Sequence, residues 1–337
     1  MNNKTIYVAY TGGTIGMQQT DNGFAPVKYF LTETVKSMPE FYHSEMPAFV
    51  INEYSPLIDS SNMQPDDWQR IAEDIKTNYD KYDGFVILHG TDTMAFTASA
   101  LSFMLKNLDK PVIVTGSQIP LSQLRSDGQA NLLNSLYIAA NHPIPEVTLF
   151  FNNSLFRGNR TTKAHADGFN AFASPNYPVL LEAGIKISQK IQLHKQIERK
   201  PLEVVSIEPQ PIGVVLLYPG ISIELFNNIL QQPVKALIIR TFGVGNAPES
   251  TALLNVLKEA DENGIVLVNL TQCMQGRVNM SGYATGNALA KSGVISGVDL
   301  TVEAALAKLH VLLSQNLTSN QIKSAMQTNL NGELTPD

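Results

Sequence analysis

Cysteine is almost missing from this sequence: Cys273 is the only one in 337 residues. An intrachain disulfide is thereby excluded, and the chain fits a reducing compartment, with the cytoplasm as the expectation. Charge is also sparse, at 16% of residues with a formal net charge of −6, and no long run of Lys or Arg occurs. Without a basic patch the chain lacks the electrostatic footprint of a nucleic-acid or anionic-membrane binder, and neither partner is expected. Long hydrophobic runs are missing too. The most apolar stretch, Ile212 to Tyr218, falls well short of the roughly 20 residues that a membrane span takes. Met1 to Lys4 lead straight into a strand-like Thr5 to Tyr10, without the apolar core and cleavage site of a secretion signal. No H-E-x-x-H motif or cysteine pair occurs, and His89 and His165 have no partner at ligand spacing. Neither a metal nor a cofactor is expected, and both histidines are expected to be structural.

What is present is a well-patterned globular chain. With 44% hydrophobic residues over this length, a real core can be buried, and two domains are expected. Short β-branched runs (Ile6 to Val8, Phe85 to Leu88, Val112 to Val114, Val147 to Phe151) alternate with helical patterns over Asp67 to Tyr82, Ala95 to Leu108 and Ala130 to Asn141. That alternation predicts a parallel sheet with covering helices. Trp68, Ile71, Ala72 and Ile75 fall on one face of the first of these helices, and Asp66 and Asp67 sit where the helix dipole favours carboxylates. Between Ser188 and Gln210 the composition turns polar and charged, with a short strand expected near Val204. A second α/β series follows: runs at Gly213 to Tyr218, Ala236 to Ile239 and Ile265 to Leu270, with helices at Ser222 to Leu230, Ser250 to Asn263 and Thr301 to Leu313. The expectation is therefore an α/β chain with a larger N-terminal catalytic domain (1–190), a linker (191–211) and a smaller C-terminal Rossmann-like domain (212–337).

In open α/β sheets the active crevice lies beyond the carboxyl ends of the strands. Four segments occupy such positions: Thr11-Gly12-Gly13-Thr14-Ile15-Gly16, His89-Gly90-Thr91-Asp92-Thr93, Thr115-Gly116-Ser117-Gln118, and Asn152-Asn153-Ser154 leading to Arg160-Thr161-Thr162-Lys163. Each has a bland alternative. The first is neither a P-loop nor a dinucleotide fingerprint, and it could be a tight turn. Thr91 could be a turn residue, Asp92 the cap of the following helix, and Lys163 a solvated cation. Together they offer more: hydroxyls, a carboxylate and a lysine at converging positions are the parts of an activated-nucleophile site. A Thr hydroxyl attacks only when a neighbour handles its proton. A lysine beside a carboxylate can trade a proton through an intervening hydroxyl, and backbone N–H groups of the glycine turns can hold an oxyanion.

The two motifs Tyr10-Thr11-Gly12-Gly13-Thr14-Ile15-Gly16 and Gly84-Phe85-Val86-Ile87-Leu88-His89-Gly90-Thr91-Asp92-Thr93-Met94 resemble those of the bacterial-type L-asparaginases, most closely the cytoplasmic type I group. The resemblance implies cofactor-free hydrolysis of L-asparagine to L-aspartate and ammonia by a homodimer or a dimer of dimers. It implies that Thr14 is the nucleophile, forming a β-aspartyl ester, and that Thr91, Asp92 and Lys163 assist proton transfer. Asp59, Ser60 and Ser61, with Thr91 and Asp92, are implied to bind the substrate. Acceptors at Asp59 and Asp92 suit an ammonium group, and Ser60 and Ser61 suit a carboxylate; alternatively Asp59 to Ser61 form only a helix-entry turn. Type I relatives also carry an effector site for asparagine, and Arg240, Thr271 and Cys273 resemble it; the competing reading is that Arg240 and Cys273 are interface or core residues. One departure stands out, since family members place a tyrosine where this chain reads Gly23-Phe24. Tyr29 is a second place for the lost hydroxyl. Competing functions are a broader glutaminase-asparaginase, because one methylene is discriminated by only about 1–3 kcal/mol, a tRNA-dependent amidotransferase subunit, and a non-catalytic asparagine sensor.

Overall fold

The alternating apolar runs do become strands between helices in the computed structural model, which describes residues 4–21, 23–191, 200–282 and 284–336. Two compact units form, Met1–Val205 and Ser206–Asp337. Residues 192–199 of the expected linker lie outside the described residues.

The first unit runs β1 (Thr5–Gly12), β2 (Met17–Thr20), β3 (Gly23–Pro26), α1 (Phe30–Lys36), β4 (Ala48–Ile58), α2 (Pro65–Asn78), β5 (Gly84–Leu88), α3 (Met94–Met104), β6 (Leu105–Lys106), β7 (Val112–Thr115) and α4 (Gly128–Asn141). It continues through β8 (Val147–Phe151), β9 (Ser154–Arg157), β10 (Thr162–Lys163), β11 (Phe172–Ala173), β12 (Leu181–Ala183), β13 (Ile187–Gln189) and β14 (Glu203–Val204). Eight strands make one sheet in the order β13-β12-β9-β8-β7-β5-β1-β4. The stretch from β8 to β4 is parallel, whereas β9, β12 and β13 extend it in antiparallel fashion. Among the parallel strands the chain leaves β1 for β4 on one side and returns to β5 on the other. The order therefore reverses between β1 and β5, and a crevice opens at such a reversal beyond the strand ends.

Alternation sorts the side chains of β1. Ile6, Val8 and Tyr10 enter a core with Leu31 and Val35 of α1 and Leu132 and Leu136 of α4. Tyr7 faces the other way and donates to Asp74 of α2 at 2.9 Å. Trp68, Ile71, Ala72 and Ile75 are buried as their spacing requires. That helix starts two residues earlier than its apolar pattern, because Pro65 sits at its first turn and Gln64 and Asp67 form a capping box. It also ends sooner, at Asn78, before a 3₁₀ turn over Tyr79–Lys81. The pattern from Ala95 to Leu108 divides: α3 stops at Met104, and Leu105–Lys106 leave it to pair with Glu203–Val204.

The second unit holds β15 (Ile212–Leu216), α5 (Ile223–Leu230), β16 (Ala236–Thr241), α6 (Thr251–Glu262), β17 (Val266–Thr271), α7 (Ala284–Lys291), β18 (Ile295–Ser296), α8 (Val302–Leu313) and α9 (Ser319–Gln327). Its four strands are parallel and in chain order. Leu237 and Ile239 pack with Phe226, Leu253 and Leu257 on one face, and Ala236 and Ile238 with Leu309, Leu312 and Met326 on the other. Ser222, Ser250 and Thr301, where the helical patterns begin, are the side-chain N-caps of α5, α6 and α8. A fully buried ion pair, Lys308 with Glu333, fastens the last segment: Lys308 Nζ also donates to the Met326 and Thr328 carbonyls. Among the described residues no helix is long and apolar enough to cross a membrane.

Candidate active site

Strand-end turns converge because their backbones can touch. Gly12 and Gly13 have φ of 141° and 91°, a region that side chains disfavour. A Cβ on Gly13 would lie 2.3 Å from the Gly90 nitrogen, and one on Gly12 would lie 2.0 Å from the Ile58 carbonyl oxygen. The turn after β1 is thus pressed between the turns after β5 and β4. Gly90 in turn lies against Ser60, since a Cβ there would sit 2.3 Å from the Ser60 Oγ. Thr11 Oγ1 donates to the Leu88 carbonyl at 2.8 Å, locking the ends of β1 and β5 together. Thr14 opens a 3₁₀ turn over Thr14–Gly16 and is partly buried. It stands at the sheet reversal, and β3, which carries Phe24, packs on its turn. Phe24 is half exposed. Tyr29 lies farther along, at the head of α1, with its backbone N–H on Glu53 at 2.6 Å and its exposed ring beside Lys28.

Thr91, Asp92 and Lys163 meet. Lys163 Nζ donates to Thr91 Oγ1 at 3.0 Å and to Asp92 Oδ1 at 2.7 Å. The helix cap that Asp92 could have formed is instead Thr93, which makes no side-chain capping bond. Thr93 Oγ1 donates to the Ser60 carbonyl at 2.7 Å, a second tie between the β4 and β5 turns. Asp59 Oδ1 accepts from the Ser61 backbone N–H at 3.0 Å and from its hydroxyl at 2.9 Å. Asp59 and Ser61 are exposed while Ser60 is buried against Gly90.

Gln118 belongs to one of the four strand-end segments, but the sequence assigned it no role. Thr91 Oγ1 donates to Gln118 Oε1 at 3.0 Å. The Gln118 amide nitrogen donates to the carbonyls of Ala166 and Gly168 at 3.2 and 3.1 Å. The two carboxylate oxygens of Asp127 hold the Gln118 backbone N–H, at 3.0 Å each. The Thr91 hydroxyl thus accepts from an ammonium and donates to an amide, so its proton and its lone pair both have assigned directions. The signal for Gln118 was only its place two residues beyond the glycine that follows β7. His89 is fully buried beneath this turn, and burial pushes its imidazole down to about 4. His165 is local to its loop, its Nδ1 accepting from the Gly168 N–H at 3.0 Å. No cluster suited to a metal occurs among the described residues.

In the second unit Arg240 is the penultimate residue of β16 and Thr271 ends β17. Arg240 Nη2 donates to the carbonyls of Thr271 and Gln272 at 3.1 and 3.3 Å. Its buried Nε has no hydrogen-bond partner among the described residues. Cys273 is exposed, and its N–H donates to Thr271 Oγ1 at 3.0 Å.

Comparison with known proteins agrees across the whole chain. Residues 5–199 match the family model "Asparaginase, N-terminal", and residues 211–326 match that of the "Glutaminase/Asparaginase C-terminal domain". L-asparaginase 1 of Escherichia coli strain K12 is 67% identical over 337 residues, covering 100% of both chains. The human 60 kDa lysophospholipase is 44% identical over 356 residues, spanning 99% of this chain but 62% of that protein. The crystal structure of L-asparaginase I from Vibrio cholerae matches with a TM-score of 0.92 and 62% identity, covering 98% of this chain and 99% of that one.

Proposed function

The chain belongs to the asparaginase family, and from that premise we propose that it hydrolyses L-asparagine to L-aspartate and ammonia with Thr14 as the nucleophile. The observation that carries this reading is the bonding of Lys163 to both Thr91 and Asp92, beside a turn that Gly13 presses onto Gly90. Thr14 Oγ1 attacks the side-chain amide carbon as its own proton passes to solvent water, and the oxyanion that forms is held by backbone N–H groups of the two turns. The Thr91 N–H has no acceptor among the described residues, as a donor awaiting a developing charge requires. Lys163, a donor to Thr91 in the resting site, protonates the Thr91 hydroxyl oxygen as that hydroxyl swings from Gln118 and hands its own proton to the departing nitrogen. Ammonia leaves and a β-aspartyl ester remains on Thr14. Water then cleaves the ester, returning a proton to Lys163 along the same path, while Thr14 Oγ1 regains its own. Asp59 and Asp92 face the substrate ammonium, and Ser60 and Ser61 its carboxylate.

Ammonia release measured across asparagine concentration tests this. Thr14→Ala is expected to lose at least about 10³-fold in turnover while still binding asparagine, since nucleophile deletions cost that much or more. Acid-quenched wild-type enzyme is expected to carry the ester on the peptide containing Thr14. Wild-type turnover in Thr14→Ala refutes the assignment.

The same proposal extends to assembly and control. The enzyme acts as a homodimer or dimer of dimers in the cytoplasm, a placement that rests on its lone free cysteine. Arg240, Thr271 and Cys273 form an effector site for asparagine, supported by the unpaired Arg240 Nε, a donor that suits a carboxylate.

A further inference from the structure

Under the Thr91 turn lies a chain of hydrogen bonds that the reaction as described leaves unused. Trp68 Nε1 donates to Thr97 Oγ1 at 3.0 Å. Thr97 Oγ1 lies 2.8 Å from His89 Nε2, and His89 Nδ1 lies 2.7 Å from the Gly90 carbonyl oxygen. All three side chains are buried, His89 and Thr97 completely.

The chain has one consistent proton arrangement. An indole N–H only donates, so the Thr97 oxygen accepts from Trp68 and keeps its own proton for His89 Nε2. The Gly90 carbonyl only accepts, so a 2.7 Å contact with His89 Nδ1 needs a hydrogen on that nitrogen. The neutral Nδ1–H tautomer meets both demands, and complete burial opposes the doubly protonated ring. The Gly90–Thr91 peptide is trans, so its carbonyl and N–H point in opposite directions. Holding the Gly90 carbonyl inward on His89 aims the Thr91 N–H outward, away from the core.

We infer that His89 is a positioning residue: locked as its Nδ1–H tautomer by Thr97 and Trp68, it fixes the Gly90–Thr91 peptide and thereby the direction of the Thr91 N–H. This rests on the proposal that the Thr91 N–H stabilises the oxyanion, and it adds the group that sets that donor's aim. His89 touches neither the reacting atoms nor the substrate in this role. Its effect falls on the transition state, where the charge develops, and little on ground-state binding.

Two measurements test the inference. Nitrogen-15 NMR of the histidine-labelled wild type reads the tautomer directly. A buried, non-titrating ring protonated at Nδ1 is expected at neutral pH; a ring protonated at Nε2 overturns the inference without any variant. Paired substitutions then read the consequence. Asparagine places an amide N–H where the Nδ1–H stood, so His89→Asn is expected to keep kcat within about threefold of wild type. His89→Leu fills similar space without a donor, and it is expected to lower kcat by about tenfold, less than the 10²–10³ of a deleted oxyanion donor. KM should change by less than about twofold in both, because ground-state binding is untouched. Equal kcat in the two variants, or a loss confined to KM, overturns the role. Thr14→Ala abolishes turnover independently of His89, so failure of the nucleophile assignment registers in a different protein.

Discussion

His89 makes the stability of the first unit depend on acidity, and His89→Asn removes that dependence. In the folded chain burial lowers this imidazole from 6.5 to about 4. Between those values the unfolded chain holds a proton that the folded chain refuses. Stability is therefore complete above about pH 6.5 and is lost as pH falls toward 4. At about pH 5 nearly all unfolded chains carry the proton and about a tenth of folded ones do, which costs about 2 kcal/mol relative to pH 7. Urea unfolding at the two pH values reports this loss. Trp68 is the only tryptophan and bonds Thr97 beside His89, so its fluorescence follows the unit that contains the titrating ring. His310 is also held low by burial and acts with the same sign, but it is present in both proteins and cancels. His89→Asn should lose about 2 kcal/mol less than wild type on going from pH 7 to 5. Equal losses in the two proteins refute the reasoning.

Lys308→Met strands Glu333, which is fully buried, and should destabilise the second unit by about 3–5 kcal/mol. Thermal unfolding measures it, and an unchanged midpoint would show the pair to be dispensable. Phe24→Tyr should raise kcat by about tenfold, a modest share of what a positioned proton carrier supplies, with little change in KM. Steady-state ammonia release checks this, and an unchanged or lower kcat removes the hydroxyl argument. Arg240→Ala should turn a sigmoidal rate curve hyperbolic; a hyperbolic wild type takes away the reason for an effector site there.

The pattern of residues carried the elements that own their periodicity. Trp68, Ile71, Ala72 and Ile75 declare one helical face, and the runs that became β5, β7 and β8 are buried throughout. The long β4 was not legible, because Asn52, Glu53 and Ser55 interrupt its apolar residues. Its extended form comes from pairing with β1, a partner that no local pattern names. The antiparallel strands β9, β12 and β13 escaped too, being only three or four residues long; β9 and β13 fold back on β8 and β12 in short hairpins, and only the β12–β9 pairing joins strands well apart in the chain.

For the candidate site the division is sharper. Thr14, Thr91, Asp92 and the glycines around them stand out in the sequence as polar residues at strand ends, where a parallel sheet opens its crevice. Local pattern leaves Asp92 equally suited to capping a helix, and only the fold gives the N-cap to Thr93 and turns Asp92 to Lys163, 71 residues away. Gln118 behind Thr91, and Thr97 with Trp68 behind His89, are joined by no spacing that a sequence displays. By itself, then, the sequence determined the kind of sheet, its strand ends and the chemistry available there. Which hydroxyl meets which amine was decided by tertiary packing alone, because a hydrogen bond depends on backbones placed to within tenths of an ångström, as Gly13 is against Gly90.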